Sequence, residues 1–86
     1  MKKNNNALVL KISSQLSTFQ KEMFLENVKY GTKLEFDFST KEGILEYYNN
    51  KETISCIYEY AYNIKACINA VAKIKEILNN IKIKWY

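Results

Sequence analysis

Eighty-six residues with no histidine, no arginine and no proline make one domain, residues 1–86, because two separate cores need more chain than this. The net charge of +4 is carried by lysine alone, which removes the guanidinium fork that reads guanine or clamps phosphate; two cysteines without a histidine supply neither a disulfide framework nor a four-ligand zinc site. A chain of this size buries only about 60 to 65% of the surface its unfolded form exposes, so packing within the chain or against a second one has to supply its stability.

Lysine, asparagine, isoleucine and tyrosine make up 40 of the 86 residues, a composition that AT-rich coding produces by itself. The opening residues 1–6 are polar and read as a flexible lead. The apolar run behind them, residues 7–10, is cut by Lys11 and is too short for an export signal. No stretch reaches the 18 or so apolar residues of a membrane span. A cytoplasmic protein without a membrane partner is the expectation.

In chain order, residues 7–12 are rich in leucine, valine and isoleucine after a polar lead, and predict a first strand. A rival reading places Val9, Ile12, Leu16, Phe19 and Met23 at helical spacing, in one helix from about Leu8. Ser13, Ser14, Ser17 and Thr18 sit poorly in a helix interior, which favours a strand followed by a helix over residues 18–28. Ser17 and Gln20 form the pattern of a capping box at that helix's start, and Gly31 is placed to end it. Residues 33–38 alternate, with Leu34, Phe36 and Phe38 on one side and Glu35 and Asp37 on the other, as a half-buried strand does. A glycine-containing connection, residues 39–43, then predicts a hairpin whose second strand is 44–48.

The longest predicted element is a helix from Lys51 or Glu52 to Asn80, with Asn50 or Thr53 as its N-cap. At about 100° per residue, Ile54, Ile57, Ala61, Ile64, Ile68 and Ala72 make one stripe. Cys56, Tyr60, Cys67 and Val71 widen it to an arc of about 200°. That is broader than a small sheet covers, so a second contact surface is expected on this helix. Ile81, Ile83 and Trp85 alternate with Lys82, Lys84 and Tyr86, so the tail, residues 81–86, reads equally as a short edge strand or a frayed helix end. The fold class that follows is α+β, a small antiparallel sheet with two helices on one face.

Residues suited to catalysis are scarce. Without histidine, every histidine-containing triad and the usual general base are excluded. The two glycines are isolated, so no phosphate-cradling loop can be written. Glu35 and Asp37 read as a solvated strand face rather than a metal or acid–base pair. Cys56 and Cys67 lie about 16 Å apart along one helix, too far for a disulfide, and read as buried small hydrophobes. Phe36 and Phe38 lack the basic, glycine-rich surroundings of an RNA-stacking platform. No catalytic residue, metal site, cofactor or small-molecule substrate is expected.

The heptapeptide Ile64-Lys65-Ala66-Cys67-Ile68-Asn69-Ala70 has an aliphatic, basic, alanine, small, aliphatic, asparagine, small pattern, and Gly43-Ile44-Leu45-Glu46-Tyr47 precedes it as a last strand. With the strand, helix, hairpin, long-helix order, this resembles the smallest core subunit of the KEOPS complex, which makes threonylcarbamoyladenosine in tRNA, or a diverged paralogue of it. The likeness spans residues 7–78, with Ser13-Ser14 where that family often carries a proline. It implies a non-catalytic subunit that forms a homodimer, or a heterodimer with a paralogue, and docks on a catalytic ATPase-like subunit, with tRNA met indirectly or weakly. The expected contact surface is Ile54, Ile57, Tyr58, Ala61, Ile64, Ile68 and Val71, with Lys65 and Asn69 at its rim. Two other functions stay open. A small phage or mobile-element inhibitor would bind a host target without dimerising, and a free-standing RNA-binding module would gather Lys73, Lys75, Lys82 and Lys84 on one face.

Overall fold

The computed structural model describes residues 6–50 and 64–81. Among them the chain is helical, in the order α1 (Ala7–Ser13), α2 (Thr18–Lys33), α3 (Lys41–Tyr48) and α4 (Ile64–Asn80). The α+β expectation is therefore corrected: none of the predicted strands at 7–12, 33–38 and 44–48 forms, and among the described residues there is no sheet under the helices. The order of elements that supported the resemblance to the KEOPS subunit is absent with it.

Side-chain caps decide the first helix. Asn6 Oδ1 accepts the Val9 N–H at 3.0 Å, an N-cap in extended backbone, while its Nδ2 donates to the Phe38 carbonyl at 3.1 Å. Asn6 thus belongs to the fold and not to a loose lead. Leu8, Val9 and Ile12 are buried and Leu10 is 56% exposed, the i, i+1, i+4 pattern of one helix face and not the alternation of a strand. Of the serines that argued against a helix, Ser13 and Ser14 stand at its end, where they bond back to carbonyls of the last turn. Ser13 Oγ donates to the Leu10 carbonyl at 3.1 Å and Ser14 Oγ to that of Lys11 at 2.8 Å.

The predicted capping box opens α2. Ser17 Oγ accepts the Gln20 N–H at 3.4 Å and Gln20 Oε1 accepts the Ser17 N–H at 3.1 Å. The helix runs five residues beyond the predicted end at Val28, passing through Gly31. It closes instead at a Schellman motif, in which the Phe36 N–H bonds the Gly31 carbonyl at 2.9 Å and the Glu35 N–H bonds that of Thr32 at 3.0 Å. The left-handed position falls on Glu35, at φ 70°. Gly31 is needed for space: a Cβ there would stand 2.9 Å from Phe38 Cζ and 3.0 Å from Tyr47 Cδ1.

The alternating residues 33–38 are this helix end and the turn after it. In that turn the Asp37 carboxylate accepts the Ser39 N–H at 2.9 Å. Thr40 then caps α3, its Oγ1 accepting the Gly43 N–H at 3.0 Å. Gly43 is thereby the third residue of a helix, not a hairpin glycine, and a side chain there would run into the Asp37 carbonyl.

Helix α4 packs against α1, α2 and α3, and α1 packs against α2. The shared core takes Val9 and Ile12 from α1, Met23, Phe24 and Val28 from α2, Ile44, Tyr47 and Tyr48 from α3, and Cys67, Ala70, Ile74 and Leu78 from α4. Phe38 drops in from the connection, its ring 5.1 Å from that of Tyr47 and 6.4 Å from that of Phe24. A polar pair lies inside, with the Tyr48 hydroxyl donating to Asn27 Oδ1 at 2.9 Å.

Candidate functional site

Helix α4 carries apolar residues on two sides. Cys67, Ala70, Ile74, Ile77 and Leu78 point into the core at 3% exposure or less. Ile64 and Ile68 do not: they stand 53% and 51% exposed, one turn and about 6 Å apart along the axis. Ala72 follows a turn later, also exposed, and Lys65 and Asn69 border the pair from the polar side. Of the contact surface anticipated on this helix, Ile64, Lys65, Ile68 and Asn69 thus share the outward face, whereas Val71 is half-buried against the core. Ile54, Ile57, Tyr58 and Ala61 lie outside the described residues, as do the predicted helix start, Cys56 and Tyr60.

Of the lysines anticipated for RNA, the structure describes Lys73 and Lys75. Lys73 pairs with Glu76 at 3.4 Å, and Lys75 Nζ donates to Asn49 Oδ1 at 3.1 Å, bracing α4 against the end of α3. Two residues apart on a helix means about 200° of rotation, so these ammonium groups leave the axis in opposite directions. Lys82 and Lys84, and the tail reading beyond Ile81, fall outside the described residues.

Among the described residues, Asp37, Cys67 and Tyr48 serve the fold. The Asp37 carboxylate holds its own turn and Glu35 occupies a helix terminus, so the two do not lie on one strand face. Cys67 is fully buried. Phe38 is 2% exposed, and Phe36 is half-buried with its ring edge-on to Tyr47 at 5.4 Å, so these two rings pack in the core and do not form an open pair. Burial, reinforced by the neighbouring Tyr47, holds the Tyr48 phenol well above the ordinary 10.0 and so keeps it a neutral donor. The Asn27–Tyr48 pair escaped the sequence reading. Its signal was an asparagine inside the apolar stripe of Met23, Phe24 and Val28.

Among the described residues, no three metal-ligating side chains gather, and no helix is long and apolar enough to cross a membrane. No protein-family model matches the chain, and no curated protein or solved structure matches it either.

Proposed function

We propose that this chain is a protein-interaction module without catalytic chemistry of its own, and that it self-associates through the outer face of α4. The observation that carries the reading is the exposed pair Ile64 and Ile68 on a helix whose inner face is already filled by the core. Fully burying such a side chain is worth about 1.5–3 kcal/mol, so covering the exposed half of each gains about 1 kcal/mol apiece. Lys65 and Asn69 supply the polar rim that surrounds a typical interface core. A second copy is favoured because a domain this short gains most from sharing a surface. The absence of histidine, the structural use of Asp37 and the burial of Cys67 support a binding role over an enzymatic one. The narrower placement in a tRNA-modification complex leaned on a strand and hairpin order that this fold lacks, and is not carried forward.

Light scattering at tens of micromolar tests the reading. The expected mass is about twice the 10.1 kDa of one chain, and a monomer refutes self-association. Ile64→Asp with Ile68→Asp should return that mass to the monomer while the helical circular dichroism persists, since a carboxylate at either half-exposed site reaches water. An unfolded double variant would place these residues inside the core, and an intact dimer would place the interface elsewhere.

A further inference from the structure

We draw no further inference here: the strongest candidate, the shallow groove beside the exposed Tyr30 near the end of α2, lined also by Glu26, Lys29, Thr32 and Lys33, has the Lys29 ammonium already paired with Glu26, and nothing in the structure shows what covers it.

Discussion

Replacing Gly31 with alanine sets two effects of opposite sign against each other. In an open helix interior the change is favourable by about 1 kcal/mol, because glycine loses more backbone freedom on folding. Here the new methyl group would stand 2.9 Å from Phe38 Cζ and 3.0 Å from Tyr47 Cδ1, well inside ordinary carbon contact. Both rings are buried, at 2% and 0% exposure, and lean on each other at 5.1 Å, so neither swings away without disturbing the other. Overpacking of this kind costs about 1–3 kcal/mol, and rings this confined argue for the upper part of that range. The net expectation is a loss of about 1–2 kcal/mol, which for a domain of this size lowers the melting temperature by about 4–16 °C. Urea and thermal unfolding followed by circular dichroism measure it. Trimming the obstruction with Phe38→Leu in the Gly31→Ala background should cost less than Phe38→Leu does in the parent, since the two changes relieve each other. A Gly31→Ala chain that is more stable than the parent by about 1 kcal/mol would mean that the rings do not lie over this helix, and the packing of the 36–38 connection on α2 would be refuted.

Glu35→Gly should stabilise the fold by up to about 1 kcal/mol, because φ 70° strains any residue with a Cβ; a destabilised variant in chemical denaturation would show that the Glu35 side chain contributes more than its backbone strain removes. Tyr48→Phe should cost about 1–3 kcal/mol at neutral pH by leaving the buried Asn27 carbonyl without its donor, and an unchanged unfolding midpoint would contradict that bond. The same residue sets an alkaline limit: its folded pKa is raised above the ordinary 10.0, so its stabilisation is complete below pH 10.0 and is lost as pH rises through the folded value, the unfolded chain ionising first. Tyr48→Phe should therefore flatten the decline in stability above pH 10.0, and a decline just as steep in the variant would assign it to other groups.

Legibility in the sequence followed element length. The capping box at Ser17 and Gln20 is a local device that needs no tertiary partner, and it appears where the sequence places it. Of the long helix expected up to Asn80, the described part, Ile64–Asn80, is helical. The misread segments are short, and Ile44 with Tyr48 satisfies both a two-residue and a near-four-residue spacing. Within eight residues only a third apolar position separates the two periods, and Tyr47, buried beside Tyr48, is that position. In residues 33–38 the alternation came from a helix terminus running into a turn, with Leu34 44% exposed and Phe38 buried. The rotation of α4 was illegible for a different reason. Ile64 and Ile68 have the same spacing as Cys67 and Val71, and only the directions from which α1, α2 and α3 approach decide which pair turns inward.

The double use of Asn6 makes the first helix conditional on the rest of the molecule. A seven-residue segment is far too short to remain helical alone, since nucleation outweighs the few bonds gained. Its cap side chain is anchored to a carbonyl 32 positions away, and that carbonyl is presented only after α2 has closed and the chain has turned toward α3. Amide protons in α1 should thus exchange with solvent in one concerted undocking event and not by gradual fraying from the end, so that their common opening free energy reads out how often the bundle releases its first helix.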